Sequence, residues 1–228
     1  MWKYISSAAQ AAGSAPMFTW RLDSQRIELS GITFLNAVSK AANFIVDGLE
    51  VDSEQLVYVD LGNHWQAPVW QAAVLAAGGV LSDEPSGVNI VTSDLISSVH
   101  KIVAVVSRDP FGMPQRDLAD SVINASAEVR GFGDHFVPRT PTAESTLVGS
   151  WGVDVQHART LVEGHAALHA IAPAQSIGLI TNGSLRTAIE WQCFFSIFNH
   201  SPMVLLDGDF DRENVEQQER ITQIIDLR

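Results

Sequence analysis

One cysteine, two tyrosines and three lysines occur in 228 residues, and each scarcity excludes something. Cys193 stands alone, so no intrachain disulfide can form, and nothing in the cysteine usage speaks for a secreted chain. Basic residues are outnumbered 14 to 26 by acidic ones, for a formal charge of −12. Such an excess repels nucleic-acid phosphates and anionic head groups, and no Lys/Arg cluster breaks it locally, so neither nucleic acid nor a membrane is an expected partner. The longest apolar stretch, residues 69–81, is interrupted by Gln71, Gly78 and Gly79. It falls short of the roughly 18–20 residues that span a bilayer. Residues 1–16 lack the continuous apolar run of a secretory signal, and the expected location is the cytoplasm.

Hydrophobic residues, 46% of the chain, are in ample supply. A chain of this length buries roughly 70–75% of its unfolded surface without staples. A short helix over 2–12, stopped by Gly13 and Pro16, precedes strands at 18–22 and 26–29 joined across Asp23-Ser24-Gln25 as a hairpin. Ser30 caps a helix whose apolar positions Ile32, Leu35, Val38, Ala42, Ile45 and Val46 recur at three- and four-residue spacing up to Gly48. Strands are predicted at 56–60, 88–91 and 102–106, with a helix at 65–77 and a helical turn at 94–100. After a Pro/Thr/Gly-rich stretch the pattern resumes with a helix at 155–171, a strand at 177–181, a helix at 184–198, a strand at 203–207 and a terminal helix at 211–227. This alternation predicts an α/β fold with mostly parallel sheets flanked by helices. The predicted division is a first α/β half with the N-terminal hairpin at 1–137, a connector at 138–153 and a second half at 154–228.

The residues that can carry chemistry are few. Asp60 ends a predicted parallel strand and is followed by Asn63, His64 and Trp65 at a helix start, the edge at which open α/β sheets take ligands. An Asx or Gly turn accounts for the same residues. The matching edge of the second half is Thr181-Asn182-Gly183-Ser184, where Ser184 also reads as an N-cap. His165 and His169 stand at i and i+4 on one helix, a spacing that suits zinc. His157 lies two turns before and Glu163 nearby, but no third ligand is assigned; with Ala/Leu neighbours a plain helix surface or packed imidazoles is the favoured reading, and no metal is assigned. Cys193 sits in Trp191-Gln192-Cys193-Phe194-Phe195 and reads as a buried thiol rather than a nucleophile. Asp207, Asp209, Asp211 and Glu213 read as a solvated turn entering a helix. Trp65, Trp70 and Trp191 read as core, whereas Trp2, Trp20 and Trp151, with Phe132 and Phe136, could form a partner surface.

Glu28-Leu29-Ser30 with its following helix, the strand at 56–60, the His64-Trp65 helix ending in Ala76-Ala77-Gly78-Gly79-Val80, and the strand at 102–106 together resemble the N-terminal region of adenylate-forming enzymes. These are the acyl-CoA synthetases, luciferases and adenylation domains. Residues 177–182, the Ser184 helix and Ser201-Pro202-Met203-Val204-Leu205-Leu206 resemble a later strand, helix and strand of the same large domain. With Asp109-Pro110-Phe111-Gly112-Met113-Pro114 and Glu128-Val129-Arg130, the chain is similar to a small family of truncated AMP-binding-like proteins. The resemblance implies two similar α/β sub-halves, and a junction at Thr181, Asn182 and Ser184, with Trp191, that approaches an acyl pocket.

Enzymes of that superfamily carry a Gly/Ser/Thr-rich phosphate loop ending in Pro-Lys. Residues 138–152 contain no such loop, and Lys3, Lys40 and Lys101 all lie in the first half. Tyr-Gly-x-Thr-Glu and Thr-Gly-Asp segments are also missing, and the chain ends before the mobile lid of such enzymes. An electrostatic clamp is the main way a protein assists phosphoryl chemistry. The expectation is therefore a non-catalytic, degenerate acyl-CoA synthetase-like protein with a small-ligand-binding, scaffold or regulatory role, no catalytic residue and no cofactor. Expected partners are a second copy, a small acyl-type ligand or a synthetase. Two alternatives stay open: a ligase or hydrolase with an unconventional site at Cys193 or the histidines, and a subunit completing a larger synthetase in trans.

Overall fold

Two five-stranded sheets run through the described residues of the computed structural model, which are 1–138, 147–149, 152–181 and 184–228. The chain divides into two units that interleave along the sequence: Met1–Trp2, Asn36–Leu61 and Val69–Val155 form the first, and Lys3–Leu35, Gly62–Pro68 and Gln156–Arg228 the second. Each unit is built around one sheet flanked by helices, so the α/β class stands.

The second unit's sheet begins with the hairpin of β1 (Pro16–Leu22) and β2 (Gln25–Ser30), which turns at Asp23 with φ 51°. The first unit's sheet consists of β3 (Leu56–Asp60), β4 (Val80–Ser82), β5 (Val88–Val91), β6 (Ile102–Val105) and β7 (Ile123–Asn124), all parallel, in the order β4-β3-β5-β6-β7. Its central strands are buried β-branched runs, as a sheet covered on both faces requires. Val91, Val99, Val103 and Val105 form one core cluster with Tyr58, Leu95, Ile96, Leu118 and Val122 against it. Each fully buried side chain of this size contributes roughly 1.5–3 kcal/mol. Phe44, in a π-helical turn (Phe44–Gly48), meets Trp70 and Phe132 edge-on at 5.9 and 5.4 Å. That turn continues helix α2 (Gly31–Asn43), whose predicted Ser30 cap is present: Thr33 N–H donates to Ser30 Oγ at 3.2 Å.

The second unit continues with β8 (Ile177–Ile180), β9 (Met203–Asp207) and β10 (Gln223–Asp226) in the order β10-β8-β9-β1-β2, parallel except for β2. Its helices are α1 (Trp2–Ala12) and α5 (Val155–Leu168), the first residue of each belonging to the other unit, α8 (Arg212–Gln218) and a continuous helix between β8 and β9. That helix starts as α6 (Leu185–Ala188), widens into a π-helical segment (Ile189–Phe195) and ends as α7 (Ser196–Phe198). Gly178 permits the close approach of β10, since a Cβ there would lie 2.9 Å from Ile224 Cγ1. The first unit's remaining helices are α3 (Gln66–Ala77), shared with Gly62–Pro68 of the other unit, and α4 (Ala125–Glu128).

Three expectations are corrected. The N-terminal hairpin does not belong to a first half at 1–137, because β1 pairs with β9 from Phe18↔Met203 to Leu22↔Asp207. The units therefore are not consecutive, and most of the predicted connector, at 139–146, 150 and 151, lies outside the described residues. The terminal helix ends at Gln218. Arg220 takes φ 52°, and Gln223–Asp226 then pairs with β8, burying Ile225. Trp20 is not at a partner-facing edge but 1% exposed on β1, and Trp2 packs on Phe136 at 5.5 Å; Trp151 lies outside the described residues.

Candidate functional site

At the carboxyl ends of β8, β9 and β1 the second unit carries a seven-residue insert, Gly62–Pro68. Asn63 is its anchor. The Asn63 amide donates to Leu206 O at 2.7 Å and Leu179 O at 3.1 Å, satisfying carbonyls at the ends of two strands. Gln192, in the π-helical segment, donates from Nε2 to Asn63 Oδ1 and to Gly62 O, both at 3.2 Å. The Trp20 indole N–H donates to Asn63 O at 2.9 Å. Asn63 thus spends both amide hydrogens and its side-chain oxygen on the protein itself. His64 is fully buried between Trp20, edge-on at 4.7 Å, and Trp65, at 5.5 Å. Gln66 N–H donates to His64 Nδ1 at 3.4 Å, which makes Nδ1 an acceptor nitrogen.

A second cluster gathers the predicted histidines. His165 on α5 lies with Nε2 3.0 Å from Glu190 Oε2, and Arg186 Nε donates to Glu190 Oε1 at 3.3 Å. Burial pushes the Glu190 carboxyl up, but the hydrogen bonds and charges of His165 and Arg186 outweigh it and hold the group below its ordinary range. Glu190 is a carboxylate at neutral pH. As a carboxylate it can only accept, so His165 Nε2–H donates to it. Trp191 underlies the cluster, with His165 4.8 Å and His169 5.6 Å from its ring and Phe195 stacked at 4.7 Å. The histidine spacing therefore serves a carboxylate and an indole. Among the described residues no group of three or more His, Cys, Asp or Glu is arranged to hold a metal.

The remaining candidates divide between the units. Asp60 is half-buried at the end of β3 and accepts the Tyr58 hydroxyl at 3.0 Å. Burial, with the charge and hydrogen bond of Asp60, pushes the Tyr58 phenol up. Chain connections leave β3 toward β4 and β5 toward β6, on opposite sides, so the topological switch of this sheet falls between the ends of β3 and β5, at Asp60 and buried Thr92. Thr181 is buried just past β8, Asn182 lies outside the described residues, and Ser184 caps α6 by accepting Thr187 N–H at 3.3 Å. Cys193 is buried, and burial pushes its thiol up, away from nucleophilic service. Asp211 caps α8 through Asn214 N–H at 3.2 Å, so the acidic run is a helix start.

The two short motifs behind the family resemblance come together in the first unit. Asp109 Oδ1 accepts Phe111 N–H at 2.8 Å and Met113 N–H at 3.1 Å, while Arg130 donates to Gly112 O at 2.9 Å. Phe111 stands 80% exposed on this hydrogen-bonded loop.

Sequence reasoning missed Glu190 and Gln192 as organising residues. One signal was present: two polar residues inside the apolar run from Ile189 to Phe195, each of which must find a partner if buried. Nothing local named those partners.

The fold defined by these sheets is similar to that of part of an acyl-CoA synthetase. The chain superposes on the acyl-CoA synthetase of Brucella canis with a TM-score of 0.75, covering 96% of this chain and 46% of that one at 12% identity. In sequence it is 33% identical over 125 residues to a TIGR03089 family protein of Mycobacterium tuberculosis (strain ATCC 25618 / H37Rv), a match covering 50% of this chain and 51% of the relative. Those matches span about half the length of each relative. No protein-family model matches the chain. No helix among the described residues is long and apolar enough to cross a membrane.

Proposed function

We propose that this protein is a non-catalytic, degenerate relative of the acyl-CoA synthetases, acting as a small-ligand-binding, scaffold or regulatory protein and not as an ATP-dependent ligase. The observation that carries the reading is the Asn63 network. At the sheet edge where α/β proteins take ligands, the Asn63 side chain is spent on the Leu179 and Leu206 carbonyls. The sequence adds a second support, since residues 102–228 contain no lysine and residues 138–152 hold no Pro-Lys phosphate loop. Catalysis at a triphosphate depends on such a preorganised cationic grip. Fold likeness carries no activity by itself.

The test is ATP–pyrophosphate exchange on the purified chain with a panel of short, medium and aromatic carboxylic acids. The expected exchange equals the no-protein background for every acid. Acid-dependent exchange that scales with protein concentration and disappears on denaturation would overturn the reading.

A further inference from the structure

Four methionines occur in the chain, and one of them is open to solvent: Met113 is 52% exposed, whereas Met1, Met17 and Met203 are 8%, 4% and 0% exposed. Its loop is pre-organised. Asp109 holds it through three bonds, its carbonyl accepting Gly112 N–H at 2.9 Å and its Oδ1 accepting Phe111 N–H and Met113 N–H. Gly112 supplies the left-handed turn with φ 63°, and Pro110 and Pro114 stiffen the chain on either side. Arg130 closes the loop from the helical turn Val129–Gly131. Its Nη2 donates to Gly112 O at 2.9 Å and to Met113 Sδ at 3.5 Å, and no carboxylate pairs with this guanidinium among the described residues. A thioether sulfur is a weak acceptor, and a sulfoxide is polar. The guanidinium is therefore already aimed at the atom that gains an oxygen on oxidation.

We propose that Met113 is an oxidative modification site for hydroperoxides and that Arg130 holds the sulfoxide formed there. The sulfur lone pair attacks one peroxide oxygen, an S–O bond forms and the O–O bond breaks. The departing hydroxide takes up the proton of the transferred oxygen and leaves as water. Sulfur gives up two electrons and the peroxide gains them, so the reaction balances with no further reagent. Arg130 keeps its proton throughout and acts as a positioning residue that donates to the product oxygen. Oxidation thus turns one of the loop's two exposed apolar side chains polar and adds a charge-assisted bond between the loop and the turn Val129–Gly131. The site lies in the first unit, away from Asn63, and holds whether or not the chain is catalytic.

The test exposes the full chain to millimolar hydrogen peroxide and follows each methionine by peptide mass spectrometry. Met113 is expected to oxidise about tenfold faster than Met17 and Met203 or more, because reaction follows access, and the difference should vanish in urea. Amide hydrogen exchange on the singly oxidised chain then reads the second half of the proposal. Protection of the Phe111 and Met113 amides should rise about threefold to tenfold over the reduced chain, the effect of one added hydrogen bond to a charged group at an exposed site. In Arg130→Ala, Met113 should still be the first methionine oxidised, but oxidation should leave that protection unchanged or lower it, and Arg130→Lys should restore part of the rise. Equal oxidation rates for Met113, Met17 and Met203 in the folded chain would overturn the modification site. No gain in protection on oxidation, or the same gain in Arg130→Ala, would overturn the part given to Arg130.

Discussion

Asn89 in the first unit and Asn63 in the second are both buried and tie down backbone groups, yet the two work at different range. Asn89, on β5 of the first unit, accepts Ser86 N–H at 2.9 Å and donates to His100 O at 2.8 Å, partners 3 and 11 residues away. Asn63, in the second unit, donates to carbonyls 116 and 143 residues away. The chemistry is the same, a carboxamide satisfying backbone groups that burial has cut off from water. Asn89 closes a loop the chain has already nearly closed, whereas Asn63 secures strands whose meeting is the late, costly part of folding.

That contrast can be broken by substitution. Asn63→Ala strands the Leu179 and Leu206 carbonyls and one Gln192 bond, and is expected to destabilise the protein by about 3–5 kcal/mol in urea unfolding. Asn89→Ala should cost less, about 2–3 kcal/mol, because its neighbours are close enough in sequence to rearrange around the loss. Equal costs for the two would show that range does not matter. Gln192→Leu, which keeps the volume but loses the hydrogen bonds, should cost about 1–2 kcal/mol, read in the same way.

A pH series sharpens the picture within the second unit. The Glu190 carboxyl is held below its ordinary range in the folded chain, so its contribution is fully present above the unfolded value and is lost as pH falls through the folded one. The wild type should therefore lose stability relative to Glu190→Gln as pH falls below the ordinary carboxylate range, by about 1 kcal/mol. A pH-independent difference would assign the cluster a packing role only. The smallest effect is expected at the chain end. Arg228 hydrogen bonds hold the Asp226 carboxyl down to about 2, but the pair is fully exposed, and Asp226→Asn should leave the midpoint of thermal unfolding unchanged within error.

Much of the fold was legible from residue order. The runs at 56–60, 88–91 and 203–207 match β3, β5 and β9 end for end, because β-branched residues between turn formers leave few other conformations. Ser30, Ser184 and Asp211 were visible as helix starts and each accepts a backbone N–H in the first turn. Strands β4 and β7, of three and two residues, carry too little periodicity to be read. The final strand follows a plain helix start at Asp211, and the stop at Arg220 depends on a left-handed residue that no glycine announces, so residue order there reads as continuous helix. Of the candidate site, the positions Asn63, His64, His165 and Trp191 were legible, but their employment was not: Asn63 serves strand ends, and His165 serves Glu190.

The sequence by itself determined the α/β class, most of the longer strands and helices, and the absence of lysine from residues 102–228. Tertiary structure alone decided that β1 lies beside β9, that Gly62–Pro68 belongs with Gln156–Arg228, and that Gln192 steadies Asn63. The reason lies in the range of the forces. Periodicity and caps act over a few residues and leave their mark in residue order. Backbone hydrogen bonds between strands are alike for every pair, so the choice of neighbour is made only by the packing of the whole.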